Sequence, residues 1–70
     1  MRYAIVLEKL DHNYSAYVPD LPGCVATGSS LLETENLIRV AIKLHIEGLL
    51  EEGLPLPEPK SVVEYMEVAA

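Results

Sequence analysis

Residues 18–28 read VPDLPGCVATG, a run with two prolines three residues apart and a glycine directly after the second. Pro19 fixes its own φ and has no N–H, so strand pairing should stop there. Pro22 and Gly23 suit the two central positions of a type II turn, in which glycine supplies the positive φ. We therefore predict a rigid corner, after which the chain returns beside the preceding strand. Its structural residues are Pro19, Leu21, Pro22, Gly23 and Gly28.

The segments on either side of this corner predict a three-stranded antiparallel meander. Residues 2–10 alternate like a strand, with one face fully apolar and a second face that is apolar at Ala4 and Val6. Residues 14–18 resume the strand pattern after an Asp-His-Asn turn, which indicates a hairpin. Residues 24–27 supply a short third strand.

A long helix is predicted next. Ser30 and Glu33 form a capping box that starts it, and Gly53, with Pro55 just beyond, ends it after about residue 52. One stripe of this helix is apolar apart from one histidine, and it comprises Leu31, Ile38, Ala41, Ile42, His45, Ile46 and Leu49. Val40 interrupts the opposite, polar face, so the apolar arc is wider than one sheet face requires.

The C-terminal part predicts a spacer and a last strand. Residues 54–59 alternate with proline and should be polyproline-like, while residues 61–68 (SVVEYMEV) have strand character. A right-handed crossover through the helix would place this fourth strand parallel to the first. The predicted fold is therefore α+β, in the order β-β-β-α-β.

Size favours self-association. A single domain of 70 residues buries only about 60% of the surface of its unfolded chain, and Cys24 is the only cysteine, which excludes internal disulfides. One helix covers one sheet face and leaves Ala4 and Val6 on the other. We therefore expect a homo-oligomer, a dimer or larger.

The net charge of −6, from 11 acidic and 5 basic residues, argues against direct binding to nucleic acid, which needs a basic surface. A partner steered by charge should be basic, although acidity that only keeps the protein soluble explains the composition more simply. No apolar run approaches the roughly 18 residues of a membrane span, and MRYAIVLEKL lacks a signal-peptide pattern. We expect a cytoplasmic protein without a membrane partner.

No catalytic residue, metal or cofactor is expected. The serines lack a G-x-S-x-G context, and Cys24, His12 and His45 show no metal-ligand spacing. Glu8 and Glu64, with a helix carboxylate, could converge on a divalent metal as in nucleases of the ribonuclease H class, but solvated positions explain these acids equally well.

Two parts of the chain together resemble the HicB-type antitoxin family. In that family a Y-x-A-x-x-P-D-L-P-G-C-x-x-x-G pattern precedes a helix that ends with a glycine and proline-spaced residues. Residues 14–28 (YSAYVPDLPGCVATG) match the first part, and Gly53, Pro55, Pro57 and Pro59 match the second. The resemblance covers nearly the whole chain.

The resemblance implies a partly degraded ribonuclease H-like fold and an antitoxin that binds and neutralises a small basic ribonuclease of the HicA type, which cuts messenger RNA. An acidic inhibitor suits a basic toxin, since opposite potentials speed capture. Family members usually continue into a DNA-binding module. We expect none here, only a single HicB-like domain over residues 1–70, so control of its own operon is not carried over.

Two other functions stay open: an orphan oligomeric module that has lost its toxin and binds another protein or a small ligand, and a vestigial nuclease. For the corner, backbone geometry accounts for Pro19, Pro22 and Gly23. Asp20 is the residue there least needed for that geometry. We therefore predict that Asp20 and Tyr17 present a contact surface to the partner.

Overall fold

The structure is a computed structural model that describes residues 1–70. The strands β1 (Val6–Lys9), β2 (Tyr14–Tyr17) and β3 (Val25–Gly28) form an antiparallel sheet in the order β1-β2-β3. The single helix α1 (Leu31–Glu51) follows them and packs on one face of the sheet. The predicted three-stranded meander and helix, and the α+β class, are therefore confirmed.

β1 is shorter than predicted, and the corner explains why. Val6 pairs with Tyr17, so the same register would place Ala4 opposite Pro19. Because Pro19 has no N–H, the ladder cannot continue past this position. Residues 2–5 therefore have no strand partner, although Tyr3 and Ile5 still pack against the core.

The corner consists of two successive tight turns. The Leu21 N–H donates to the Val18 carbonyl and the Cys24 N–H donates to the Leu21 carbonyl, each at 3.1 Å. Gly23 has a φ of 83° at the third position of the second turn, as a type II turn requires. The Val18 N–H also donates to the Cys24 carbonyl at 3.2 Å and closes the corner.

Both ends of α1 are capped. Ser30 Oγ accepts a hydrogen bond from the Glu33 N–H at 3.1 Å, whereas the Glu33 carboxylate bonds the N–H and hydroxyl of Ser29 rather than the N–H of Ser30. At the other end, Gly53 has a φ of 68°, and the Leu54 N–H donates to the Leu49 carbonyl at 2.9 Å. This is a Schellman motif, in which glycine reverses the chain.

Five apolar residues form the buried core, and three of them come from the corner. Val18, Leu21 and Cys24 pack with Ala16 of β2 and Ile38 of α1, and Leu21 is 0% exposed. Burial also raises the pKa of the Cys24 thiol. The corner therefore both bends the chain and supplies most of what the helix covers.

The fourth strand predicted at residues 61–68 is absent from the structure. No residue after Leu54 takes part in a backbone–backbone hydrogen bond, and every residue from Glu58 onward is exposed. Pro59 has no N–H, and the N–H groups of Lys60 and Ser61 bond a side chain instead of a strand. The protomer thus has three strands and one helix, without the parallel strand of a ribonuclease H-like arrangement.

Gly28 leaves no room for a side chain where β3 meets α1. A Cβ atom there would stand 2.6 Å from Thr34 Oγ1 and 3.0 Å from the Thr34 backbone nitrogen. We expect Gly28→Ala to lower the free energy of unfolding by about 1–3 kcal/mol, because the helix must shift away from β3. Urea denaturation followed by circular dichroism measures this change.

Gly48→Ala is the matched control for that variant. A Cβ atom at Gly48, which lies within α1, meets nothing within 4 Å. We expect this change to raise the free energy of unfolding by about 0.5–1 kcal/mol, because alanine favours the helical backbone. Equal stability of the two variants would contradict the close approach of β3 and α1.

Candidate interaction surface

One face of the sheet is not covered by α1. On it Tyr17 stands between Val6 of β1 and Val25 of β3, with which it is paired in register. Side chains alternate between the two faces of a strand, and the neighbouring Ala16 is buried under α1, so this row points away from the helix. Tyr17 is 41% exposed and Val25 is 65% exposed. We call Val6, Tyr17 and Val25 the open-face row.

A polar row borders the open-face row on the same side of the sheet. It contains Glu8, Ser15 and Thr27, which are paired with one another in register. Glu8 and Thr27 are exposed, and Ser15 is half-buried. The uncovered face therefore has an apolar centre with an aromatic ring and an edge that carries negative charge, a composition suited to contact with another protein.

Asp20, the other predicted contact residue, has its carboxylate engaged within the chain. Its Oδ2 accepts hydrogen bonds from the N–H of Lys60 at 3.0 Å and of Ser61 at 2.9 Å, and its Oδ1 accepts one from the Ser61 hydroxyl at 2.8 Å. These hydrogen bonds hold the pKa of Asp20 below its ordinary value, and the bond from the Ser61 N–H has the largest effect. Asp20 thus fastens the C-terminal segment to the corner and lies outside the open-face row.

Protonation of Asp20 is expected to release this segment. Because the pKa of Asp20 is lower in the folded chain, the attachment is complete above the ordinary carboxyl pKa of about 3.9 and is lost as the pH falls through the lowered value. Asp20→Asn should release the segment even at pH 7, since an amide nitrogen replaces one accepting oxygen. Hydrogen exchange at the Lys60 and Ser61 amides, measured by NMR, should become faster.

Glu58→Gln is the control for this prediction, because Glu58 is an exposed acid in the same segment and accepts no hydrogen bond. It should leave exchange at both amides unchanged. If Asp20→Asn also left them unchanged, the anchoring role of Asp20 would be wrong.

A groove of about 310 Å³ lies between β1 and α1. It is open because α1 packs mainly over β3 and β2 and less over β1. Its apolar lining consists of Tyr3, Ile5, Leu7, Ile38 and Ile42, and its two charged lining residues are Glu35 and Arg39. The Tyr3 hydroxyl donates to the Pro57 carbonyl at 2.5 Å, so the proline-spaced segment passes beside this β1 groove.

Apolar side chains also lie on the solvent side of α1. Leu37, Val40 and Leu44 are exposed, and their spacing of three and four residues places them on one side of the helix. Val40 thus interrupts the polar face of α1, as the sequence predicts. We call these three residues the outer helix stripe.

The structure brings together no metal-binding cluster, since no group of three or more His, Cys, Asp or Glu residues is placed to hold an ion. Glu8 is exposed on β1 and Glu64 is exposed in the C-terminal segment. His12 is exposed in the hairpin turn, and His45 is half-buried on α1. No helix has the combination of length and apolar character that a membrane span needs.

Comparison with known proteins gives consistent matches along the chain. The family model described as "HicB_like antitoxin of bacterial toxin-antitoxin system" matches residues 3–69. An uncharacterized 14.9 kDa protein of Haemophilus phage HP1 is 39% identical over 66 residues, which cover 94% of this chain and 50% of the phage protein. A UPF0150 protein of Synechocystis is 37% identical over 67 residues, which cover 94% of this chain and 85% of that protein.

The chain thus spans about half the length of the phage relative and most of the cyanobacterial one. Among solved structures, it is similar to HicB3 of a HicA3 and HicB3 toxin-antitoxin complex, with a TM-score of 0.72 and 33% sequence identity. That match covers 86% of this chain and 70% of the other.

Proposed function

This chain belongs to the family of HicB-like antitoxins of bacterial toxin–antitoxin systems, and from this premise we propose that it neutralises a small basic ribonuclease of the HicA type by binding it. The observation that carries the proposal is the likeness to HicB3, which was solved together with a toxin. The protein acts as an inhibitor without catalysis of its own and without a cofactor.

Charge supports a basic partner. The chain has 11 acidic residues against 5 basic ones, and a basic toxin would meet a complementary potential. Such complementarity mainly speeds encounter and excludes wrong partners, while affinity depends on a well-packed centre. The same charge argues against direct binding of this domain to nucleic acid.

We place the toxin contact on the open-face row. Tyr17 offers a large ring at its centre, aromatic residues are enriched among energetically important interface residues, and Glu8 adds negative charge at the edge. The outer helix stripe is the competing surface, and it has no aromatic residue. Tyr17 contributes by direct contact, and Asp20 contributes by keeping the C-terminal segment fastened to the corner.

Self-association in the cytoplasm completes the proposal. A three-stranded sheet with one helix leaves apolar side chains exposed on the sheet, on the helix and in the C-terminal segment. Exposed apolar surface of this extent is typical of proteins that assemble with other chains. We expect a dimer or a larger homo-oligomer that presents several open-face rows.

The test first asks whether a reading frame adjacent to that of this chain encodes a small basic protein, and then uses that protein as the toxin. Cleavage of a messenger RNA by that protein is measured while this chain is added, and we expect cleavage to stop near equimolar amounts. Raising the salt from low concentration to about 0.5 M should slow association about tenfold or more, because the charges are then screened. Undiminished cleavage by an active toxin in the presence of the folded chain would overturn the proposal.

A further inference from the structure

Residues 61–68 are a strand-like segment without a strand partner, and we call them the C-terminal tail. Five of the eight residues are apolar or aromatic, namely Val62, Val63, Tyr65, Met66 and Val68. All five are exposed, Tyr65 to 94% and Met66 to 84%. An apolar, β-branched and aromatic segment of this kind is stabilised when it pairs with a sheet edge.

β1 offers a sheet edge with free backbone groups, because it is an outer strand. The Leu10 N–H donates to the Asn13 carbonyl at 2.8 Å. In an antiparallel pair only every second residue of a strand forms backbone hydrogen bonds with the facing strand. In this register Glu8 and Val6 bond to β2. Leu7 and Lys9 therefore direct their N–H and C=O groups away from β2, toward the open edge.

The surroundings of this edge match the tail in chemistry. The β1 groove beside it is largely apolar and open, so side chains from an added strand would cover Ile5 and Leu7. The tail carries Glu64 and Glu67, and the opposite charges near this edge are Lys9 on β1 and Arg39 in the groove, which Glu35 also lines. At about 3.3 Å per residue, eight residues also exceed the length of the four-residue β1.

The tail begins beside residues 2–4, which precede its own β1, and it does not pair with β1. Ser61 and Val63 line a shallow cavity with Arg2, Tyr3 and Ala4, and Asp20 fixes Ser61 there. Beyond this point the tail makes no backbone–backbone hydrogen bond in the protomer. The anchor therefore presents the tail at the same end of the molecule as the open edge of β1. A second copy related by a two-fold axis would present its own tail to that edge.

We infer that two copies exchange their C-terminal tails, so that residues 61–68 of each pair with the β1 edge of the other and cover its β1 groove. This inference rests on the self-association proposed above and is independent of the toxin. The exchange is reciprocal, as a two-fold interface requires. It gives a strand partner to the C-terminal tail and to the β1 edge at the same time.

Paramagnetic NMR tests the inference on the full chain. A spin label is attached to the Met66→Cys variant, which is prepared without ¹⁵N. An excess of this spin-labelled chain is unfolded and refolded together with ¹⁵N-labelled wild type. Cys24 is buried with a raised thiol pKa, so the added cysteine takes the label. The ¹⁵N-labelled chain carries no spin label. We expect the NMR signals of its Leu7 and Lys9 amides to lose most of their intensity and to regain it when the spin label is reduced.

A pair of tail variants gives a second readout. Tyr65→Pro removes an N–H within the tail and should halve the mass measured by light scattering, whereas Tyr65→Val keeps strand character and should keep the wild-type mass. A wild-type monomer, or an oligomer whose Leu7 and Lys9 amides keep their intensity, would overturn tail exchange. Exchange that persists in a chain unable to inhibit the toxin would instead reject only the proposed toxin.

Discussion

Leu21→Ala is expected to unfold a large fraction of the chain at room temperature. Leu21 is 0% exposed, and it lies in the core with Val18, Cys24 and Ile38. Truncation of such a leucine costs about 2–5 kcal/mol, because buried apolar contacts are lost and a cavity remains. At about 0.05–0.15 kcal/mol per residue, a chain of 70 residues has a stability of about 3.5–10 kcal/mol, so a cost of this size removes a large part of it and, toward the lower end, all of it.

Circular dichroism and urea denaturation measure this effect. Leu32→Ala is the matched control, because Leu32 is 68% exposed in the first turn of α1, and its truncation should change the free energy of unfolding by less than about 0.5 kcal/mol. An equal loss in the free energy of unfolding for both variants would mean that Leu21 of the corner does not stabilise the core. The comparison should be made at one protein concentration, since self-association adds to apparent stability.

The features that sequence reasoning predicted are those that depend on neighbouring residues. Pro19 ends the ladder through its missing N–H, Gly23 has the positive φ of its turn, and Ser30 caps the helix, all within a few positions of the residues they act on. Gly53 ends α1 in the same local way. Residue type alone restricts these conformations, so the meander and the helix could be predicted.

The C-terminal segment was misjudged because a strand is defined by its partner. Residues 61–68 alternate as a strand does, but alternation does not say which edge they meet. The hydrogen bonds of Asp20 could not be predicted either, because its partners Lys60 and Ser61 lie 40 and 41 residues away in the sequence, and its contact with a partner stays a prediction. Nothing local in the sequence joins these positions.

The neighbours of Tyr17 on the candidate surface could not be predicted, for a related reason. Tyr17 was singled out, but its place between Val6 and Val25 follows from the register of two strand pairs, which the sequence does not specify. The β1 groove depends on where α1 lies across the sheet. The close approach of Gly28 to Thr34 draws α1 toward β3 and leaves β1 less covered.

Tyr17→Arg is expected to weaken binding to the proposed partner toxin at least about 30-fold without unfolding the chain. Loss of a central aromatic contact commonly costs about 2 kcal/mol or more, and a new positive charge facing a basic toxin adds repulsion. Tyr17 is 41% exposed on the uncovered face, so the core under α1 stays intact. Isothermal titration calorimetry measures the affinity, and circular dichroism checks the fold.

Two further variants distinguish the effect of where the new charge lies from the effect of the charge itself. Tyr17→Phe keeps the ring and should bind within a few-fold of wild type, while Leu44→Arg places the same charge on the outer helix stripe and should also leave affinity nearly unchanged. Both arginine variants move the net charge from −6 to −5, so any difference between them reports location. If Leu44→Arg lost binding and Tyr17→Arg kept it, the toxin contact would lie on the helix, and the open-face row would be free for another role.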